Sequence, residues 1–500
     1  MCNKINLIMK KIYLTLCVIV TLFVSCDKIL DNQVPPHDLE ATNVITNESS
    51  ALTALNGIYS EFGLINHWGG PYIAEGAIRC NFLSGVGLRV VDYKNALTEL
   101  RVTSEFSPLK EAWTSTYKMI NAANNFIYYV ELLEDNKFGE NRKNELLAEA
   151  KFIRAFCHMY LMKMFSHFWN VDSEYGPLMR LEPSLLSNSF KARSTVKEAY
   201  DLILKDYDFA IKYGAESSSA LSVNKYLAQA FKAEALTIRG SAGDYELAGK
   251  LADSVINESS YALEGVYSET FTKGLQSSEL MFSRIRNSKL ASTTNKKLED
   301  FFASNKLSPS ETYLEIMADT IFKTRIEGQE AIIDTLVDTR LNFTVDSLMI
   351  PDRNGVPRKT LVWKKLYNPD IESPMFYMRL AQMYLIKAEA LYRTGASVSA
   401  VLDPINIIRK RSGNVEYDPA NTSANNLNNI IFKEYILELG LENASEYYAS
   451  IRFTNNGGSN ATSVNRKLRD LNPSYQEDNQ LCLPIPTREI TYNALIVPNP

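Results

Sequence analysis

The chain is poor in the residues that build metal and nucleophile sites. It has four histidines and six cysteines in 500 residues. No two cysteines form a C-x-x-C pair, so a zinc site of the usual spacing is not expected. His158 and His167 stand nine residues apart on one expected helix, whereas two histidines sharing a metal from one helix want a spacing of about four. A Walker loop, a G-x-G-x-x-G after a strand, H-E-x-x-H and G-x-S-x-G are all missing. Carboxylates are plentiful, and spacing alone does not decide whether two of them form a glycosidase pair. Nearly all of them read as solvated helix faces. The expectation is a protein that binds rather than catalyses, with no cofactor and no metal.

Positive charge is also in deficit. The formal charge is −5, and without Lys4, Lys10 and Lys11 of the leader it is −8. That argues against nucleic acid as a partner and against electrostatic docking on anionic membranes. Nor does the leader span a bilayer. Its apolar run, Ile12 to Val24, has 13 residues, and a spanning helix needs about 20. With Lys10-Lys11 before it and a small residue ahead of a cut, the run reads as a secretory signal, starting equally well at Met1 or Met9. It ends Leu22-Phe23-Val24-Ser25-Cys26. A small residue directly before cysteine is the pattern of a bacterial lipoprotein signal, in which residues 1–25 are removed and Cys26 is lipidated. An ordinary signal peptide with a chance cysteine is the simpler alternative. Two or more acyl chains on one cysteine anchor a protein stably. Residues 26–45, with DKILDNQVPPHDL, are polar and read as a tether. Cys80, Cys157 and Cys482 are far apart and are expected to be buried free thiols, a single disulfide among them being the alternative.

What the chain does have is apolar periodicity. Hydrophobic residues make up 45% and charged residues 22%, enough for a large core, and the length suggests one large or two to three ordinary domains. The stretch from Tyr377 to Gly413 is the most regular. Leu380, Tyr384 and Leu391, with Ala381, Met383 and Ala388, fall at helical spacing up to Gly395, and a second helix runs from about Val398 to Arg409. Such a helical hairpin of about 34 residues has the size of a tetratricopeptide repeat. It has a sibling: Lys232-Ala233-Glu234-Ala235-Leu236 matches Lys387 to Leu391 letter for letter, and Gly240 matches Gly395 at the same offset. Further helices are expected at about 49–62, 109–133, 144–168, 195–213, 244–257 and 427–447. The fold class expected is mainly α: a tetratricopeptide-like scaffold of helical hairpins, at about 49–133, 144–214, 224–258 and 377–413. Two irregular insertions interrupt it, at about 63–108 and 261–376, the second with a few short strands such as Glu279–Arg286 and Leu361–Leu366. The glycine-rich stretch Gly63 to Lys94 reads as a long loop, and long loops in compact domains are usually functional or disordered.

Six motifs in order resemble the SusD/RagB family of Bacteroidetes outer-membrane lipoproteins. They are Cys26-Asp27-Lys28-Ile29-Leu30-Asp31; Trp113-x3-Tyr117-x2-Ile120-x3-Asn124; Glu149-Ala150-x3-Arg154-Ala155-Phe156-x3-Tyr160; Arg379-Leu380-Ala381-x2-Tyr384-Leu385-x2-Ala388-Glu389-Ala390; Asn406-x2-Arg409-x-Arg411-x-Gly413; and Pro484-Ile485-Pro486-x2-Glu489-Ile490 with Asn499-Pro500. The family's Gly-Asp-x-Pro turn after the third helix is replaced by Phe165 to Asn170 with a delayed Gly176-Pro177, and Lys433-Glu434-Tyr435 and Leu441-Glu442-Asn443 lack the family's arginines. These departures mark a divergent branch.

The resemblance implies a single domain over 46–500 in a lipid-anchored protein on the outer surface of the outer membrane. It would bind oligosaccharide and cap a SusC-like TonB-dependent transporter, helices toward the transporter and insertions toward the ligand. A peptide-binding member of the family and a tetratricopeptide-type protein-binding adaptor are the alternatives. Sugars stack their C–H faces on aromatic rings and bond polar groups at a rim. The candidate platforms are Trp68, Tyr72 and Tyr93 in the first insertion and Tyr313 in the second. Trp113 and Trp169 are expected in the core, and Trp363 against a strand.

Overall fold

The computed structural model describes residues 44–62, 70–84, 91–283, 308–317, 321–327, 330–336, 338–351, 355–365, 375–458 and 461–500. The leader, Cys26 and most of the tether lie outside these residues. Helix α1 (Glu48–Phe62) starts at Asn47, whose Oδ1 accepts from the Ser50 amide at 3.0 Å. Within the stretch expected as one long loop, the described residues include two helices, α2 (Gly70–Arg79) and α3 (Val91–Thr98). Pro71 falls in the first turn of α2, where its missing N–H costs no helical bond, so it does not break the helix.

The scaffold follows: α4 (Ser107–Leu132), α5 (Arg142–Phe165), α6 (Val196–Tyr213), α7 (Lys225–Arg239) and α8 (Asp244–Glu258). After the second insertion, with its short helix α9 (Glu311–Met317), come α10 (Leu380–Arg393), α11 (Val398–Arg411), α12 (Leu427–Leu439) and α13 (Ser445–Arg452). Each scaffold helix from α4 to α8 packs on the next, α8 packs on α10, and α10 on α11. This is the tetratricopeptide-like stack. Boundaries come from local chemistry. Thr195 caps α6 in a reciprocal box, accepting from the Glu198 amide at 3.1 Å while Glu198 accepts from the Thr195 amide at 3.0 Å. Gly240 and Gly395 end α7 and α10 in the left-handed region, at φ +62° and +78°.

The repeated KAEAL segment occupies equivalent places. Lys232 of α7 pairs with Asp208 of α6, and Lys387 of α10 pairs with Asp253 of α8. Glu234 and Glu389 both turn inward, toward Lys163 and Arg452 respectively. Helix α5 departs from the one-faced pattern: every residue from Phe152 to Phe165 is buried, because α4, α6 and α7 surround it. It also stops at Phe165, so His167 lies beyond it rather than on the same helix as His158.

The helix expected over 427–447 is two helices. Gly440 ends α12, and Leu441, Asn443 and Ala444 take left-handed φ values of 70°, 48° and 52° before α13. Lys365 makes the break possible by donating Nζ to the carbonyls of Glu438 and Gly440 at 2.9 and 2.8 Å, which feeds acceptors a helix end leaves unpaired.

Among the described residues the strands form four two-stranded antiparallel ladders. β1 (Leu83–Ser84) pairs with β3 (Ser308–Pro309), and β2 (Leu280–Phe282) with β8 (Met378–Arg379). β4 (Ile321–Glu327) pairs with β5 (Glu330–Leu336), and β6 (Val345–Pro351) with β7 (Pro357–Trp363). The strand expected over Leu361–Leu366 ends at Trp363 because the Lys364 amide turns to the Thr344 carbonyl at 2.8 Å.

Candidate ligand-binding face

The two insertions meet. β1 belongs to the first and β3 to the second, with Leu83 opposite Pro309 and Ser84 opposite Ser308. The Ser310 amide extends the ladder to the Phe82 carbonyl at 2.9 Å. Behind it the Tyr313 ring lies between Phe82 and Trp363, at centroid distances of 5.4 and 4.5 Å. Helix α2 is seated on α13 through Gly76, which touches Ala444 so closely that a side chain would collide. Asn472 ties the ends of α2 and α3 together, donating Nδ2 to the carbonyls of Arg79 and Thr98, both at 2.8 Å.

A buried ionic hub fixes the second insertion to the scaffold. Arg340 donates to Asp338, Glu434 and Glu438, and Arg379 to Glu279, Glu438 and Glu442. Arg409 reaches Glu434 at 2.6 Å, Arg411 joins Glu279 and Glu438, and Lys365 joins Glu442 at 2.6 Å. Five cations thus face five carboxylates, and the hub is neutral. Burial alone would raise the Glu438 carboxyl, but Arg411, Arg379 and Arg340 outweigh it and hold it well below the usual carboxylate range. Burial likewise opposes the Asp338 carboxylate, and Arg340 holds it low. These glutamates correct the expectation of solvated faces: Glu279, Glu389, Glu434 and Glu438 are all fully buried. With every carboxylate committed to a cation, the hub is built to hold segments together.

Burial pushes His158 down to about 3, so its ring is neutral, and its Nε2 accepts from the Arg180 amide at 3.2 Å. Cys80, Cys157 and Cys482 are buried free thiols as expected. Among the described residues no three His, Cys, Asp or Glu side chains converge on a point where a metal could sit, and no helix is long and apolar enough to cross a membrane.

A cleft of about 220 Å³ opens between the α2–α3 layer and the C-terminal segment. Its lining includes the apolar Leu97, Leu100, Val102 and Leu483, the cation Arg79 and the polar Asn479, Gln480 and Asn499. The Arg79 guanidinium lies 4.2 Å from the Tyr447 ring centre, donates Nη2 to the Gln480 carbonyl at 2.8 Å and Nη1 to Glu75 at 3.3 Å.

Two family models match this chain. One, described as starch-binding and associating with the outer membrane, covers residues 87–236, and the other, the SusD family, covers 354–500. The chain belongs to the SusD/RagB family. The SusD-like protein P2 of Formosa agariphila is 22% identical over 98% of this chain and 99% of its own length. A SusD superfamily protein from Bacteroides thetaiotaomicron has the same fold, with a TM-score of 0.71 at 22% identity over 91% of this chain and all of its own. Another from Bacteroides vulgatus gives 0.71 at 16% identity, over 91% of this chain and 98% of its own. SusD-family proteins are binding proteins associated with the outer membrane, and membership supports a glycan-binding role in nutrient uptake.

The aromatics predicted for this SusD/RagB chain fare unevenly. Trp68 lies outside the described residues. Tyr72 is carried by α2 and Tyr93 by α3, which puts both in the first insertion's helices rather than in a loop. Tyr313 is corrected: only 1% of it is exposed, and with Phe82 and Trp363 packed against it the ring has no face for a sugar. Trp113 is in the core and Trp363 packs at a strand end, as expected, whereas Trp169 is half-buried and stacks on His167 at 4.8 Å. Sequence reasoning missed the cleft and Arg79. The cleft joins residues near 79–102 to residues near 477–500, and no local pattern links segments so far apart.

Proposed function

We propose that this protein is a surface lipoprotein that captures oligosaccharide outside the cell and delivers it to a SusC-like TonB-dependent transporter in the outer membrane. Cys26 carries the lipid anchor, and the tether lifts the fold from the membrane. The observation that carries this reading is family membership across both halves of the chain. The fold is consistent with it: a stiff helical stack on one hand, and two insertions joined at one edge on the other. In this reading the protein performs no chemistry. It binds weakly to moderately, and the closed complex prevents escape. Trp68, Tyr72 and Tyr93 are the proposed stacking platforms.

The test is a binding screen of the mature chain against host and plant glycans and peptides, with co-purification from detergent-solubilised outer membranes. A barrel partner together with retention of a glycan is the expected outcome. A barrel partner with no retained glycan would favour a peptide ligand or a protein-binding adaptor. Labelling with a palmitate analogue, lost on Cys26→Ala, is expected for the anchor.

A further inference from the structure

We propose that the cleft between the α2–α3 layer and the C-terminal segment binds a single carboxylate-bearing sugar residue, with its acid group toward Arg79 and its ring against Leu97, Leu100, Val102 and Leu483. This deepens the glycan-binding reading and rests on it.

Size comes first. About 220 Å³ is too little for an oligosaccharide and enough for one ring with its substituents, given that a cavity of roughly 150 Å³ holds benzene. The lining then selects the chemistry: Leu97, Leu100, Val102 and Leu483 offer apolar surface to the C–H face of a sugar ring, and Arg79 is the cation among the lining residues. Arg79 is 1% exposed, and its Nε has no hydrogen-bond partner. A buried donor left unpaired costs about 1–3 kcal/mol, so a guanidinium that turned toward a ligand carboxylate would gain a bond it now lacks.

Charge decides the sign of the ligand. A second guanidinium, Arg193, stands behind the cleft wall. It donates to Asn499 Oδ1 at 2.7 Å and to the carbonyls of Gly176, Phe165, Tyr175 and Val497 at 2.7–3.1 Å. All five acceptors are neutral, and among the described residues Arg193 makes no ion pair. Cys482, which lines the cleft, lies in the field of both arginines. Against these two cations stands the carboxyl of Glu75, which burial pushes up to about 7 although Arg79 draws it down, so Glu75 is a weak counter-ion near neutrality. Glu477 lies at the rim and is exposed. The wall is therefore short of negative charge where an acidic ligand would supply it.

Backbone strain points to the same place. Leu100 closes α3 in the left-handed region at φ +54°, with the Arg101 amide bonded to the Ala96 carbonyl at 2.8 Å. A β-carbon there costs about 1–2 kcal/mol, and glycine would make the turn without it. What leucine adds is packing against the core and a wall of the cleft.

The test is calorimetry on the purified mature chain in detergent with glucuronate, glucose and acetate, repeated on Leu100→Gly, Val102→Phe and Arg79→Lys. Glucuronate is expected to bind about tenfold or more tighter than glucose, which lacks the acid, and than acetate, which lacks the ring. Each variant should weaken glucuronate by a similar factor. In Leu100→Gly the strain relieved offsets part of the packing lost, and a melting temperature measured on each variant separates loss of binding from loss of folding. Equal binding of glucose and glucuronate, or glucuronate binding unmoved by Leu100→Gly and Val102→Phe, would overturn the proposal. If the wild type and the cleft variants retain a neutral oligosaccharide alike, and glucuronate does not bind, this inference fails while glycan capture stands. If no glycan of any kind binds, both fail.

Discussion

Gly76 and Ala444 touch across the α2–α13 interface with no room for another carbon. A β-carbon built on Gly76 would lie 2.5 Å from the Ala444 Cβ and 2.7 Å from its Cα. Ala444 cannot retreat easily, because it holds a left-handed φ of 52° at the start of α13. Gly76→Ala is therefore expected to destabilise by about 1–3 kcal/mol, the cost of overpacking. Gly57 in α1 is the control: nothing lies within 4 Å of its added carbon, so Gly57→Ala should stabilise by about 0.5–1 kcal/mol. Urea midpoints of the two variants should move in opposite directions.

Below Gly76 lie two carboxyls whose burial sets a pH dependence. Burial pushes Glu446 up to about 8 and Glu75 up to about 7, from ordinary values near 4.5. In the unfolded chain both ionise first, so the folded state carries more protons between pH 4.5 and 8, and stability falls as pH rises through that window. Each unit of such a difference is worth about 1.4 kcal/mol. Glu446→Gln keeps an acceptor for the Leu441 amide and cannot ionise. Its urea midpoint should fall less steeply from pH 5 to pH 8 than that of the wild type. A slope unchanged by the substitution would show that the Glu446 carboxylate is tolerated where it is. At the acid end the sign reverses. Arg452 holds Glu389 below its ordinary value against burial, so that contribution is lost as pH falls below about 4.5.

Removing one member of the ionic hub leaves its partners charged and buried. Arg379→Gln would leave four cations against five buried carboxylates, since Glu279, Glu438 and Glu442 now share its guanidinium at 2.6–2.7 Å. The expected loss is about 3–5 kcal/mol by chemical denaturation, the usual range for breaking a buried pair. Lys232→Ala breaks a pair whose Asp208 side chain is 58% exposed, and it should cost no more than about 1 kcal/mol.

Three thiols should report the integrity of the core. Burial raises the Cys80 and Cys157 thiols well above their ordinary range and pushes Cys482 up to about 11. Few thiolates and little access mean slow reaction. An Ellman titration of the chain from Asp27 should find almost no reactive thiol in native buffer and three in guanidinium. Cys482, at 8% exposed the least enclosed, should react first as denaturant is added.

The scaffold was legible because helix periodicity is local. The KAEAL repeat predicted equivalent places for Lys232 and Lys387, and the two lysines do make equivalent pairs with the preceding helix. The carboxylates were misread for a physical reason. Glu434, Glu438 and Glu442 recur every four residues, which is how a solvated helix edge also looks. Only their partners distinguish the two cases, and Arg340 and Arg379 arrive from 59 to 98 residues away. The loop over Gly63 to Lys94 was misread because its glycines outweighed the helix-forming run from Ala74 to Arg79. The stacking platforms were chosen by residue type and expected exposure, and Tyr313 shows how poorly type alone predicts exposure: its partners are Phe82, just before β1, and Trp363, at the end of β7.

The two-residue ladder between β1 and β3 has a bearing on the order in which this molecule is made. It joins residues more than two hundred positions apart, while the helices of the stack mostly meet their sequence neighbours. Contacts that close large loops are entropically late, and local hairpins are early. The stack would thus stand before its upper edge exists. A full-length chain folding after export would therefore form most neighbour contacts of the stack before this ladder closes.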